Sequence, residues 1–112
     1  MGMIVVSGKV TVLSGNMDEA LKVSQEHVVR SRSEAGCTSH GVSVNAEAAN
    51  QLIFFEQWEN LASLKSHFVV PESPTFATAI SKLASTPQRF QFFCPRKSSL
   101  TPREQEMSQH AE

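Results

Sequence analysis

The chain has 112 residues and a formal net charge of −1, a length that suits one domain able to close a single core without staples. So little charge leaves no footprint for nucleic acid or an anionic membrane surface. The longest apolar runs, residues 3–6 and 52–55, fall far short of the ~20 residues a membrane-spanning helix needs.

Residues 3–13 set Ile4, Val6, Gly8, Val10 and Val12 against Val5, Ser7, Lys9, Thr11 and Leu13. The period of two and the β-branched content predict a strand. Ser14-Gly15-Asn16 turns the chain, and Asn16 with Glu19 three residues on predicts a capped helix. Ala20, Leu21, Ser24 and Val28 share one face of that helix, with Val23 and His27 on its shoulder. Residues 34–36 are expected to end it, Gly36 taking the left-handed position after the cap.

A second strand follows over 37–45, with His40, Val42 and Val44 on one face. Residues 46–50 read as a hairpin loop and 51–59 as a third strand. Leu52, Phe54, Glu56 and Trp58 lie on one side of it and Ile53, Phe55, Gln57 and Glu59 on the other. Asn60 can cap a helix over 61–68 that Pro71 and Pro74 should break. Ser73 or Thr75 then begins another turn set, with Phe76, Ala79, Ile80 and Leu83 on one stripe. Residues 89–95, with Phe90, Phe92 and Phe93, form the last strand.

The resulting βαββα(α)β order is an α+β, ferredoxin-like arrangement over residues 1–95, with a four-stranded antiparallel sheet ordered 4-1-3-2. Residues 96–112 are a polar tail in which Thr101-Pro102-Arg103-Glu104 could open a short helix. With no basic region and apolar core at the N-terminus, a cytoplasmic protein without signal peptide is expected.

The third strand is apolar on both faces near its centre, yet helices can cover only one face of such a sheet. A second copy of the same sheet is the expected cover, giving a two-fold homodimer. Cys37 and Cys94 fall on opposite edge strands, ~14 Å apart across three strand spacings. That is too far for a disulfide, so both are expected to be plain thiols, and no metal site is expected of them.

Four side chains bear on chemistry. His40 could act as a base if it titrates near neutrality, or be a packed imidazole with its hydrogen bonds met. His67 could line the cleft between sheet and helices, or sit at a helix end that favours a cation. Trp58 reads as core, or as an indole N–H that fixes a flat ligand. Glu56, a carboxylate on an apolar face, needs a partner in either role. His27 and His110 read as exposed, and Arg30, Arg32 and Arg89 as solvated. No GxGxxG, P-loop, HExxH or GxSxG motif is present.

Glu34-x-Gly36-Cys37 entering one strand, Glu56-x-Trp58-Glu59 closing the next, and His67 nine residues after the tryptophan form a pattern that resembles the antibiotic biosynthesis monooxygenase family. The resemblance spans roughly residues 3 to 95 and implies a dimeric α+β barrel. For activity it implies cofactor-free oxidation of an aromatic or quinol-type compound by O₂. His40 or His67 would then be the base, and Trp58, Glu56, Phe54, Phe76 and Ile80 would surround the substrate. It equally admits a non-catalytic dimeric module that binds a small hydrophobic metabolite. A haem-degrading branch of the family uses an Asn, a Trp and a His where this chain carries Gly8, His67 and Ile80, so haem degradation is the less expected activity. Some relatives also place a polar residue four before the strand-three tryptophan, where this chain has Phe54.

Overall fold

A computed structural model describes residues 3–85 and the backbone of 89–93. The elements run β1 (Ile4–Thr11), α1 (Met17–Ser31), β2 (Cys37–Asn45), β3 (Ala48–Trp58), α2 (Leu61–Val69), α3 (Glu72–Leu83) and β4 (Arg89–Phe93). Neighbouring strands are antiparallel and lie in the order β2-β3-β1-β4. Cys94, His110 and the tail over 96–112 lie outside the described residues, as does the side chain of Arg89. No described helix is long and apolar enough to cross a membrane.

The alternation in β1 and β3 sorts side chains as the period of two requires. Ile4, Val6, Val10, Leu52, Phe54 and Trp58 are buried beneath the helices. The opposite face carries Val5, Ile53 and Phe55, and Phe55 is 44% exposed. Apolar burial under the helices falls into two clusters. One holds Val10, Val12, Ala20, Leu52, Phe54 and Ile80; the other holds Ile4, Val6, Trp58 and Leu64. Along β3, Glu56 is the buried residue between Phe54 and Trp58, so a polar layer separates the clusters.

Several boundaries differ from those expected. Asn16 makes no side-chain cap to α1; its amide instead reaches the Leu83 carbonyl at the end of α3, 3.5 Å away. Helix α1 stops at Ser31, and residues 32–36 form the turn into β2. The hairpin loop is only two residues long, because Asn45 already pairs with Ala48 and the Asn45 side chain accepts from the Glu47 N–H. Helix α2 ends at Val69, ahead of Pro71 as expected, but α3 already begins at Glu72 and so includes Pro74. Pro74 sits in the first turn, where a missing N–H costs no intrahelical bond. Asn60 caps α2 as expected, its side chain accepting from the Ser63 N–H at 2.9 Å.

Gly36 has φ +85°, and a Cβ there would collide with the Ser63 side chain on α2. Its carbonyl accepts from the Glu59 N–H at 2.8 Å. This glycine thus locks the β2 entry turn to the start of α2. Gly36→Ala is expected to cost about 1–3 kcal/mol of stability, read as a lowered urea midpoint. Gly41→Ala, whose Cβ would meet nothing within 4 Å, is the control and should stay near wild type.

Candidate active site

The polar layer is built from four elements. β2 and β3 place His40 directly opposite Glu56, α1 brings His27 down from above, and α2 brings His67. All three imidazoles are buried, at 8% exposure for His27 and 3% for His40 and His67. Their rings pack against one another with centroids 5.4 to 5.6 Å apart. His67 also lies 4.7 Å from the Trp58 ring, and His27 stacks in parallel on Phe76 at 4.1 Å.

The backbone of each histidine is held by a different side chain. Ser31 Oγ donates to the His27 carbonyl at 2.7 Å, Arg32 Nε to the His40 carbonyl at 2.9 Å, and Ser73 Oγ to the His67 carbonyl at 2.6 Å. These bonds anchor the main chain from which each ring extends.

One imidazole has a built-in orienting partner. Glu34 Oε1 lies 2.8 Å from His67 Nδ1, and Glu34 Oε2 lies 2.6 Å from Arg30 Nη1. A carboxylate so held by a guanidinium accepts the Nδ1–H, which leaves Nε2 of His67 with its lone pair free. Arg30 Nη2 also lies 3.0 Å from His27 Nδ1. Arginine can only donate, so His27 carries its proton on Nε2 when neutral.

Burial governs the titration of the remaining groups. It lowers His40 to about 3, helped by repulsion from His27, His67 and the two arginines. It lowers His27 to about 4, helped by His67 and Arg30 and opposed by Glu34. It raises Glu56, against the hydrogen bond that the Trp58 indole N–H donates to Glu56 Oε1 at 2.8 Å. Burial likewise pushes the free Cys37 thiol up, ahead of the neighbouring carboxylates. Neither ring nitrogen of His40 has a hydrogen-bond partner among the described residues. Its Nε2 comes to 3.4 Å of Glu56 Oε2 but is not aligned as a hydrogen bond.

These values sort the residues singled out from the sequence. Near-neutral titration of His40 is not found: at about 3 it is unprotonated at pH 7 and only a weak base. His67, Trp58 and Glu56 are brought together, with the indole N–H spent on Glu56. Phe54 and Ile80 are core, and Phe76 packs against them. Two residues read as ordinary were misplaced. His27 is buried rather than exposed, and Arg30 is engaged with both Glu34 and His27. The signal for His27 was the stripe Ala20, Ser24, His27, Ser31, whose members are all buried. Small polar residues at these helical intervals give room for an imidazole.

The described grooves do not reach the imidazoles. The one nearest has a volume of about 420 Å³ and runs between the β2 entry turn and α2, with Glu34, Asn60, Ser63 and Val70 among its walls. Two others lie on α3 alone. Water therefore meets the Glu34 end of the relay, while His67 stays under cover.

A family model described as Antibiotic biosynthesis monooxygenase matches residues 3–80. An uncharacterised protein of Synechocystis is 32% identical over 90 residues, covering 80% of this chain and 61% of that relative's length. The chain thus spans under two thirds of the curated relative it matches. Among solved structures, a conserved protein of Methanosarcina mazei superposes with a TM-score of 0.81 at 20% identity, covering 86% of this chain and 95% of its own. A Nitrosomonas europaea protein described as a candidate antibiotic biosynthesis monooxygenase superposes with a TM-score of 0.80 at 12% identity, covering 87% and 94%. At these identities the two structures establish a shared fold.

Proposed function

The chain belongs to the antibiotic biosynthesis monooxygenase family, and from that premise we propose that it oxidises an aromatic or quinol-type compound with O₂, using no cofactor. The observation that carries this reading is the Arg30–Glu34–His67 relay, which holds His67 by Nδ1 in a buried layer beside Trp58 and leaves the Nε2 lone pair for a substrate proton. His67 Nε2 takes the acidic O–H proton of the substrate, and the Glu34 carboxylate stabilises the imidazolium that forms. The electron-rich anion then reduces O₂, one oxygen atom entering the substrate and the other leaving as water. His40 is a neutral hydrogen-bonding group in this scheme, Trp58 and Phe76 supply flat walls, and Phe54 and Ile80 form the floor.

A second copy of the chain completes the protein. Among the described residues no helix lies over the face bearing Val5, Ile53 and Phe55, and sheet-on-sheet packing about a two-fold axis would cover it.

One observation favours a non-catalytic module, which a small hydrophobic metabolite could enter only by displacing Phe76 from His27. Phe54, Phe76 and Ile80 fill the cleft, and the described grooves avoid the histidines. Oxygen uptake over a panel of quinols separates the two readings. Consumption matched by product formation supports the oxidase. Quenching of Trp58, the single tryptophan, without oxygen uptake supports the binder.

Phe76 stands where a flat ligand would stack on His27. Phe76→Ala is expected to bind an aromatic probe ~10-fold more tightly, equivalent to about 1.4 kcal/mol, as read by Trp58 fluorescence. The loss of stability should be about 1–3 kcal/mol, less than for a fully buried Phe, because the ring is only half-buried.

A further inference from the structure

We propose that His27, His40 and His67 form a binding site for one first-row divalent metal ion of the class that prefers imidazole nitrogen, such as Zn²⁺. One ring nitrogen from each lies within 4.8 Å of the others, all three buried. His40 points to a ligand most directly: its side chain is fully buried, yet neither ring nitrogen has a hydrogen-bond partner among the described residues. A buried polar group left unpaired is costly, and a cation would partner the ring's bare lone pair. Imidazole suits Zn²⁺ and its first-row neighbours, and ligation requires the neutral ring.

The surroundings fit such an ion. Glu34 on His67 Nδ1 is the carboxylate–histidine arrangement that fixes a ligand's tautomer and turns Nε2 toward a metal. Tetrahedral Zn–N bonds of about 2.0–2.1 Å place ligand nitrogens about 3.3 Å apart, so the rings must draw together by ~1.5 Å at most. Glu56 Oε2, 3.4 Å from His40 Nε2, is within reach as a fourth donor. His27, the most exposed of the three, marks the way in. Arg30 opposes binding: it holds His27 Nδ1 and must release it, keeping Glu34, before His27 can turn a lone pair to the ion.

The inference goes beyond the cofactor-free reading and stands apart from it. The ion would occupy the lone pair of His67 that otherwise takes the substrate proton, so cation and substrate proton compete. Binding is read without substrate, so a failure here leaves the oxidase reading untouched.

The test is a Co²⁺ titration of the chelator-treated full chain, followed by visible d–d absorption and by displacement with Zn²⁺. One equivalent should bind with a tetrahedral-type spectrum. His40→Gln should weaken binding by more than the ~10–100-fold typical of losing an outer partner, and Arg30→Gln should tighten it. Should His40→Gln not fold, imidazole ¹⁵N spectra of the wild type with one equivalent of Zn²⁺ decide. Shifts at His27, His40 and His67 together support the site. Shifts at His110 alone, no saturable uptake, or uptake unchanged in both folded variants His27→Gln and His40→Gln would overturn it.

Discussion

Replacing His67 with Ala is expected to lower quinol turnover by about 10²- to 10⁴-fold, the range a positioned general base contributes. The loss should fall on kcat, because His67 Nε2 acts when the substrate proton moves. Glu34→Gln should cost less, on the order of 10–100-fold, by analogy with groups that orient a ligand. A Gln carbonyl still accepts the Nδ1–H, but it no longer offsets the imidazolium charge or pairs with Arg30. His40→Gln should leave kcat within ~10-fold, because a ring that titrates at about 3 offers little basicity at pH 7. Oxygen-electrode rates for the three variants, each first checked for native folding, give the order. A His40 variant slower than the His67 variant would reverse the assignment.

Acid should unfold the metal-free protein well before its carboxylates are neutralised. His27 and His40 titrate in the folded state at about 4 and about 3, against ~6.5 in an unfolded chain. The unfolded state therefore binds these protons first, and stability is lost as pH falls below ~6.5. The loss continues to about 4 for His27 and about 3 for His40, below which both states are charged. Each proton contributes about 1.4 kcal/mol per pH unit, so both together give at most about twice that slope. Glu56 acts in the opposite sense. Its raised carboxyl takes up a proton in the folded state first, which offsets part of the loss. Urea unfolding at a series of pH values between 4 and 7 measures the slope, and His27→Gln should roughly halve it. A flat profile across that window would mean that the imidazoles are not buried as described.

Much of the fold was legible because it rests on local periodicity. The alternation in β1 and β3, the Asn60 cap and the Gly36 turn all express short-range stereochemistry that a sequence carries openly. The boundaries that moved did so through tertiary bonds. Asn16 turned from its own helix to the Leu83 carbonyl, and the bulge after Val44 brought Ala48 into register with Asn45. The site was half legible. His40, Trp58 and Glu56 could be placed by counting along strands, whereas counting left His67 either in the cleft or at a helix end. His27 could not be placed by counting apolar residues, because Ser24 and Ser31 made its stripe look polar. Arg30 and Glu34 form an i,i+4 pair, but their joint grip on His67 spans 33 residues of sequence and depends on how α2 docks. Periodicity does not encode that distance.

The relay at the heart of the site can be read directly from imidazole ¹⁵N–¹H correlation spectra of the metal-free protein near pH 8. His67 should carry its proton on Nδ1 with a bare Nε2, and His27 should carry its proton on Nε2. Finding His67 protonated on Nε2 instead, or finding its tautomer unchanged by Glu34→Ala, would contradict the account.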